Sequence, residues 1–390
     1  MDIAALHNRN VVRQMEHVRA GTTDEAEGVL RVPAESYTDP ERFRLEMEKI
    51  FLRVPLFVGL SHEVPEAGDY KTLEVLGKPL LIARQRDGSV RVMLNVCTHR
   101  GMLVAPEGSG SRPVFTCPYH GWTFNLDGSL RGIADPHKFG EVERKGLGLT
   151  ALPCYERAGM IFAVLTPGLE VDFASFLGGM IEDIEAVDFP SFHFYGTRRI
   201  EGANWKIAYD GYLEGYHFAA AHPDTIFPRT FSNVMAFDAY GPHLLIGFPQ
   251  RSILERLAGV PEGELHRHEN DGFDFIRLLF PNVSIFVAPE VTQIAQLLPG
   301  PTVDRNTTVM YYLHREKLEG EARRKLEEII DWLWKVVEVE DYGVGLAVQR
   351  GLASGAIREV LFGRNERGNQ YFHRWVDYYL ADCTGPVPAL

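Results

Sequence analysis

The sequence predicts an α+β protein in which an all-β portion precedes a mixed portion that ends in a long helix. Two Asp-Gly pairs, Asp87-Gly88 and Asp127-Gly128, each lie between short apolar runs. Asp-Gly in that setting is the strongest short signal of a β-hairpin. Further along, strand-like runs precede a segment rich in strong helix formers, which is typical of an α+β domain. The runs are 244–248, 283–287, 294–298 and 307–314, and the helical segment is 321–353.

These patterns divide the 390 residues into three parts. Residues 1–54 are expected to form a polar N-terminal arm and one helix that packs on the C-terminal domain. Residues 55–166 are expected to form the all-β domain, and residues 167–390 the mixed domain. The predicted helix of the first part opens at Asp39-Pro40, since a capping Asp followed by Pro at the first helical position is a common helix start.

Three shorter helices are predicted from apolar spacing. Phe43, Met47 and Ile50 fall on one face of a helix that ends near residue 53. Residues 173–189 have helical periodicity, and residues 204–222 are also expected to be largely helical.

The composition is that of an ordinary globular protein, with 45% hydrophobic and 24% charged residues. A formal net charge of -13 argues against nucleic acid or an anionic membrane as a partner. No apolar run is long enough to span a bilayer and no secretory signal is visible near the N-terminus, so we expect a cytoplasmic protein. Cys154 and Cys383 are expected to be free thiols.

The first chemical motif is Cys97-Thr98-His99 followed by Cys117-Pro118-Tyr119-His120. Two Cys and two His in close pairs suit either a structural zinc ion or a Rieske-type [2Fe–2S] cluster. Zinc sites more often pair their cysteines as Cys-x-x-Cys, so this spacing favours the cluster.

The second motif is Glu214-Gly215-Tyr216-His217 with His222 five residues later. Two imidazoles and one carboxylate form the facial triad of non-haem Fe(II) oxygenases, which leaves coordination positions open for O2. A His pair at this spacing is weak evidence alone, because packing produces such pairs as well. It gains weight from the cluster motif that precedes it.

Both motifs resemble segments of the Rieske non-haem iron oxygenases. The string from Asn95 to Gly101 and from Cys117 to Trp122 resembles their cluster-binding segment, and residues 204–222 resemble their mononuclear iron segment. The resemblance extends over about residues 37–385. It implies the alpha subunit of an aromatic-ring-hydroxylating dioxygenase, with an all-β Rieske [2Fe–2S] domain joined to a helix-grip (START/Bet v1-like) catalytic domain.

The resemblance also implies ligand sets for two metal centres. His99 and His120 would bind one iron of the cluster, and Cys97 and Cys117 the other. His217 and His222 would bind a mononuclear Fe(II). Its third ligand would come from the long C-terminal helix, where Glu340-Asp341 precedes Val348-Gln349-Arg350-Gly351-Leu352, and Asp341 occupies the ligand position.

Two further carboxylates belong to the implied site. Glu214 occupies the position of a carboxylate that bridges the two centres, which many members of the family fill with Asp. Asp210 is a competing carboxylate in the same segment and is expected to support the ligands from behind.

By the same resemblance, the chain is the terminal oxygenase of a multicomponent system and assembles as a homotrimer. It would use O2, and electrons from NAD(P)H through a separate reductase or ferredoxin, to hydroxylate, dihydroxylate or dealkylate a small organic substrate, as in aromatic hydrocarbon catabolism. No G-x-G-x-x-G fingerprint is present for a nicotinamide or flavin. The alternative is a Rieske-type electron carrier without oxygenase chemistry, which needs only residues 55–166.

Overall fold

The structure is a computed structural model that describes residues 2–390. The chain forms two compact units. The larger unit contains the described residues up to Ile50 together with Ala174–Val187 and Ser191–Leu390. The smaller unit contains Phe51–Phe173 and Asp188–Pro190. No helix of the described residues is long and apolar enough to cross a membrane.

The larger unit contains both helices and strands, and strands dominate the smaller one. The α-helices of residues 2–390 are α1 Ile3–Ala20, α2 Pro40–Glu46, α3 Pro136–Phe139, α4 Phe173–Val187, α5 Trp205–Asp210, α6 Phe218–Ala221, α7 Ile253–Arg256, α8 Gly320–Val336, α9 Gly343–Ala353 and α10 Arg367–Leu380. The strands are β1 Leu30–Pro33, β2 Leu56–Leu60, β3 Asp69–Val75, β4 Lys78–Arg84, β5 Val90–Leu94, β6 Ser109–Ser111, β7 Phe115–Thr116, β8 Thr123–Phe124, β9 Leu130–Gly132, β10 Ala151–Leu152, β11 Cys154–Arg157, β12 Met160–Ala163, β13 His193–Gly202, β14 Ala236–Tyr240, β15 His243–Pro249, β16 Phe273–Leu279, β17 Val283–Val287, β18 Thr292–Pro299, β19 Asn306–His314 and β20 Glu359–Phe362.

The smaller unit is built from three antiparallel sheets. Their strand orders are β10-β5-β4-β3-β6, β11-β12-β2 and β7-β8-β9. The two predicted Asp-Gly hairpins are both present, as β4–β5 and β8–β9. Cys97 and Cys117 are buried in one core cluster with aromatic side chains that include Phe115 and Trp122. The all-β expectation for this part of the chain is therefore confirmed.

The larger unit contains a seven-stranded antiparallel sheet with the order β13-β19-β18-β17-β16-β15-β14. The four predicted strand runs fall on β15, β17, β18 and β19. Every residue of β15 and of β18 is buried, as expected for central strands covered on both faces. Helices and antiparallel strands together confirm the predicted α+β class.

The predicted helix over 321–353 is interrupted. Between α8 and α9 the backbone forms a π-helical turn over Val337–Tyr342. Such turns are rare and often occur at functional sites. Here the turn carries both Glu340 and Asp341.

The predicted polar N-terminal arm contains a helix that the sequence analysis does not predict, since residues 3–20 form α1. The inward side of α1 is polar rather than apolar, since Asn10 and Gln14 are fully buried. Asn10 Nδ2 donates to the carbonyl of Ala236 and to Asp238 Oδ2, at 3.2 and 2.7 Å. An apolar periodicity search therefore misses this helix, because hydrogen bonds to β14 take the place of apolar contacts.

Residues 204–222 are only partly helical. Helix α5 ends at Asp210 and α6 does not begin until Phe218, so Glu214 and His217 lie in the irregular segment between them. Gly215 fixes the path of this segment. A Cβ atom at Gly215 would lie 2.8 Å from the ring of Phe218 and 3.0 Å from that of Phe248, which is too close for any larger residue.

A buried ion pair joins α2 to α5. The Lys206 ammonium lies 2.5 and 2.6 Å from the two carboxylate oxygens of Glu46, and both side chains are fully buried. The indole N–H of Trp205 donates to the same carboxylate at 2.8 Å. Removing one member of such a pair typically costs about 3–5 kcal/mol, because the other charge is left buried without a partner. This contact fixes the first turn of the helix that leads into the His217 segment.

Candidate metal centres

The residues of the first motif lie on two turns with the same hydrogen-bond pattern, one beginning at Cys97 and the other at Cys117. In each turn, the amide of the Cys donates to the carbonyl five residues later, at 2.8 Å for Cys97 and 2.7 Å for Cys117. The carbonyl of each Cys accepts from the amide of a Gly four residues later, Gly101 or Gly121. Both glycines have φ near +70° to +80°, the left-handed region that other residues rarely adopt. The glycines are therefore required by the backbone conformation of the turns.

The four side chains of these turns fit a [2Fe–2S] cluster. Cys97 and Cys117 are free thiols with 2% exposure, and the rings of His99 and His120 lie 4.7 Å apart. The Nδ1 atoms of both histidines are buried and have no hydrogen-bond partner among the described residues. Buried polar atoms are nearly always satisfied, so two unpaired ring nitrogens beside two thiols indicate metal ligands.

Aromatic packing holds the histidine of the first turn. The ring of His99 stacks on Trp122 with a centroid distance of 4.8 Å and an interplanar angle of 7°.

Burial raises the pKa of the Cys97 thiol, and the neighbouring Cys117 raises it further. Two such thiols ionise together only when cations balance them, as the irons of a cluster do.

The second motif meets Asp341 in the larger unit. Asp341 Oδ1 lies 3.0 Å from His222 Nε2 and 3.5 Å from His217 Nε2. One candidate ligand atom from each of the three residues lies within 4.8 Å of the others. Neighbouring ligands of an octahedral ion with bonds of about 2.1 Å lie about 3 Å apart, so these atoms are spaced to share one ion.

Two more carboxylates contact the opposite ring nitrogens. Glu340 Oε2 lies 2.6 Å from His222 Nδ1, and Glu340 also accepts from Thr225 Oγ1 at 2.6 Å. Glu214 Oε1 contacts His217 Nδ1, and its other oxygen accepts from the backbone N–H of His217 at 3.1 Å. A carboxylate at Nδ1 fixes the imidazole so that Nε2 is free to bind a metal.

The carboxylates around His217 and His222 favour the protonated form of both imidazoles. Burial lowers the pKa of His217, but hydrogen bonds that its ring donates to Asp341 and Glu214 outweigh burial and raise the pKa to about 10. The same balance, with Asp341 as the main partner, raises the pKa of His222. A metal ion that binds here must displace these protons, so its affinity rises with pH.

The π-helical turn explains how Glu340 and Asp341 serve the same imidazole. They are consecutive residues, yet one contacts Nδ1 of His222 and the other contacts Nε2. The sequence predicted Asp341 for the ligand position, and the structure gives the two residues distinct contacts to His222. Asp341 lies beside both histidines, and Glu340 contacts His222 alone.

Asp210 lies in a separate network. Its carboxylate accepts from Tyr37 Oη at 2.8 Å and lies 3.0 Å from His373 Nε2. Asn369 Nδ2 donates to the Asp210 carbonyl at 3.0 Å. Asp210 therefore ties α5 to the N-terminal segment and to α10, and Glu214 is the carboxylate that contacts a candidate iron ligand.

A cavity of about 490 Å³ opens onto the triad and is lined by His217, His222 and Asp341. The sheet supplies the facing wall, with Phe248, Phe286 and Gln293 among its lining residues.

Sequence reasoning did not find several polar residues of this site. Tyr37, Thr225, His373 and Asn369 make their contacts across long sequence separations, and none belongs to a local spacing pattern. Their only sequence signal is their residue type, and that does not separate them from surface residues.

Family models match both units. The Rieske [2Fe-2S] domain model matches residues 54–156, and the ring hydroxylating alpha subunit (catalytic domain) model matches residues 189–382. The carnitine monooxygenase oxygenase subunit of Escherichia coli K12 is 31% identical over 368 residues, which are 90% of this chain and 94% of that protein. The chain belongs to the Rieske oxygenases. It is therefore an oxidoreductase whose cofactors are a Rieske [2Fe–2S] cluster and a mononuclear iron, with O2 as co-substrate.

Other comparisons find a choline monooxygenase as a further sequence relative and two solved structures with a similar fold. The chloroplastic choline monooxygenase of Beta vulgaris is 28% identical over 90% of this chain and 77% of that protein. A crystal structure of a quaternary ammonium Rieske monooxygenase superposes with a TM-score of 0.79 at 24% identity, over 91% of this chain and 96% of that one. Naphthalene 1,2-dioxygenase from Rhodococcus sp. superposes with a TM-score of 0.73 at 20% identity, over 97% and 99%. These two structures show the shared fold.

Substitutions in the π-helical turn test the assignment of the mononuclear site. Asp341→Ala is expected to remove the mononuclear iron, because it deletes the atom shared by both histidines. Glu340→Gln should weaken iron binding by about 10- to 100-fold, because it acts through the orientation of His222. Iron content and the Rieske EPR signal are the measurements, and the cluster signal should be unchanged in both variants.

Glu338→Ala is the matched control, since Glu338 lies on the same turn but does not line the cavity. Full retention of the mononuclear iron in Asp341→Ala, or its complete loss in Glu338→Ala, would contradict the assignment.

Proposed function

We propose that this Rieske oxygenase is the terminal component of a multicomponent system and that it oxidises a small quaternary ammonium compound with one oxygen atom of O2. His217, His222 and Asp341 would hold the mononuclear iron, and Cys97, His99, Cys117 and His120 the cluster. When bound, the cluster supplies single electrons and the mononuclear iron activates O2. The electrons would come from NAD(P)H through a separate reductase or ferredoxin.

The negative charge of the cavity lining is the main observation that supports a quaternary ammonium substrate. Among its described lining residues are six carboxylates, against one guanidinium and no ammonium group. Even an iron dication leaves that lining negative, which favours a cationic substrate. The carboxylates are Asp210, Glu214, Asp274, Glu340, Asp341 and Glu366.

Aromatic side chains complete the match to a quaternary ammonium group. Phe218, Phe248, Phe286 and Trp332 line the same cavity. Rings of this kind attract a cation that has no hydrogen to donate, and such cages recognise quaternary ammonium ligands. The relatives named above act on carnitine and choline according to their names, which supports the same class.

The expectation of aromatic hydrocarbon catabolism finds no support in the named sequence relatives, since these are carnitine and choline monooxygenases. A neutral hydrocarbon would also leave the carboxylates of the lining without a cationic partner in the ligand. An electron carrier without oxygenase chemistry would need neither the triad nor the cavity.

The chain's own residues would hold the reacting centre in three ways. Glu214 and Glu340 each accept a hydrogen bond from Nδ1–H of a histidine, so that Nε2 faces the shared Asp341 oxygen. Phe218 and Phe248, whose ring centroids lie 5.5 Å apart, would orient the alkyl groups of the substrate. The apolar walls would keep bulk water from the site.

The substrate class is tested with a set of matched compounds. The pre-reduced holoenzyme should convert L-carnitine, γ-butyrobetaine or choline into an oxidised product detected by mass spectrometry. The neutral choline analogue 3,3-dimethyl-1-butanol has the same shape without the charge, and we expect its conversion to be at least about tenfold slower. Turnover of naphthalene or of the neutral analogue, without turnover of any quaternary ammonium compound, would overturn the proposal.

We further propose that the protein works as a homotrimer in which the cluster of one subunit reduces the iron of its neighbour through Glu214. In support, Glu214 already contacts His217, and a related quaternary ammonium Rieske monooxygenase is described in terms of inter-subunit electron transfer. Glu214→Gln should keep both metals but lower turnover by about 10- to 100-fold, because it removes the carboxylate that would link the neighbouring cluster to His217.

Mixed assemblies test transfer across the interface. A Cys97→Ala chain lacks the cluster, and a His217→Ala chain lacks the mononuclear iron. Co-expression of the two should restore activity that neither variant has alone. No recovery in mixed trimers that contain both kinds of chain would mean that the electron moves within one subunit.

A further inference from the structure

The single guanidinium of the cavity belongs to Arg229, and it is the only Arg or Lys among the described residues of the lining. The backbone at this position is fixed, since the Arg229 N–H donates to the Ile226 carbonyl at 3.0 Å. The Arg229 carbonyl accepts from the Arg251 N–H at 2.9 Å. The side chain therefore projects from a fixed turn of the cavity wall.

Among the described residues, the guanidinium of Arg229 makes only one long hydrogen bond. Its Nη2 donates to Asp274 Oδ1 at 3.4 Å, and within residues 2–390 it has no other hydrogen-bond partner. The side chain is 49% exposed. A guanidinium has five N–H donors arranged to bind a carboxylate through two parallel hydrogen bonds, so most of this donor capacity is available to a ligand.

Asp274 contacts the Arg229 guanidinium but leaves most of its N–H donors without a partner in the described part of the chain. Gln250 Nε2 donates to both oxygens of Asp274, at 3.1 and 3.2 Å. Burial raises the pKa of Asp274 to about 6 even though Arg229 lowers it. The pair is weak because its single contact, at 3.4 Å, is long for a hydrogen bond between charged groups.

A series of contacts along the cavity wall leads from the triad carboxylates to Arg229. Glu214, Glu340 and Asp341 contact the two triad histidines. From His217 the wall continues through the ring of Phe218, with a centroid distance of 5.0 Å, and then through Phe248. Phe248 is paired across the sheet with Asp274, the partner of Arg229. The aromatic rings of Phe218 and Phe248 therefore lie along the wall between the carboxylates at the triad and Asp274, the partner of Arg229.

We propose that Arg229 binds the carboxylate of a zwitterionic substrate whose quaternary ammonium group lies at the acidic, triad end. This inference rests on the proposed function and narrows it to betaines, which carry both charges. The reported relatives include a carnitine monooxygenase and a choline monooxygenase. Carnitine has a carboxylate and choline has none, so Arg229 would separate these two classes in this chain.

The test compares two ligands that differ only in the anionic charge. Binding of γ-butyrobetaine and of its methyl ester to the anaerobic holoenzyme is measured by calorimetry. The wild-type protein should bind γ-butyrobetaine about tenfold or more tightly than the ester, since a charge-assisted bidentate contact is lost in the ester. In Arg229→Gln the ratio of the two dissociation constants should fall to about one.

Arg251→Gln is the matched control. Arg251 packs over the rings of Phe227 and Phe231 and does not line the cavity, so this variant should keep the wild-type ratio. Arg229→Lys should keep an intermediate preference, because the charge remains but the two parallel hydrogen bonds do not. The Rieske absorbance spectrum verifies that each variant is folded and carries its cluster.

The outcomes separate this inference from the proposed function. Equal wild-type affinity for the two ligands, or a preference that survives Arg229→Gln, overturns the role of Arg229. Binding of choline or of the ester without binding of γ-butyrobetaine also overturns it and leaves the quaternary ammonium function standing. If no quaternary ammonium compound binds, the inference and the proposed function both fall.

Discussion

The larger unit depends on one electrostatic constraint, the confinement of three carboxylates around two imidazoles. Asp341 lies beside both rings, and Glu214 and Glu340 each lie behind one of them. So much negative charge in a partly buried site requires cations, and in their absence the imidazoles hold protons, as the raised pKa of His217 shows. A dication would supply the balance and bind the Nε2 atoms that face Asp341. The interrupted helix, the short α5 and the glycine at residue 215 all serve to bring these groups together.

The sequence predicted the parts of the molecule that depend on local spacing. The Asp-Gly hairpins and the central strands could be predicted because turn chemistry and apolar runs are local signals. The cluster turns could be found because Cys and His are rare and their order in the chain is the order of the ligands. The acidic ligand helix could be located from the residues around Asp341.

The remaining features depend on long-range contacts. Helix α1 was missed because buried Asn10 and Gln14 replace an apolar face. The π-helical turn at Val337–Tyr342 looks like ordinary helix in sequence, and it alone gives Glu340 and Asp341 separate contacts to His222. Arg229 and Asp274 lie 45 residues apart and become neighbours only through the sheet. The residues that would determine substrate specificity are therefore the least predictable from sequence. The proposed metal ligands are more predictable because they belong to local sequence motifs.

The central claim is that the chain holds one iron in addition to the cluster, at the group formed by His217, His222 and Asp341. Iron and acid-labile sulfide content per chain tests it most directly. The account predicts about three irons and two sulfides in the wild-type protein, and about two irons with two sulfides after His217→Ala. Two irons and two sulfides in the fully loaded wild-type protein, unchanged by His217→Ala, would contradict the account and leave an electron carrier. Stoichiometric zinc without sulfide would contradict the cluster as well.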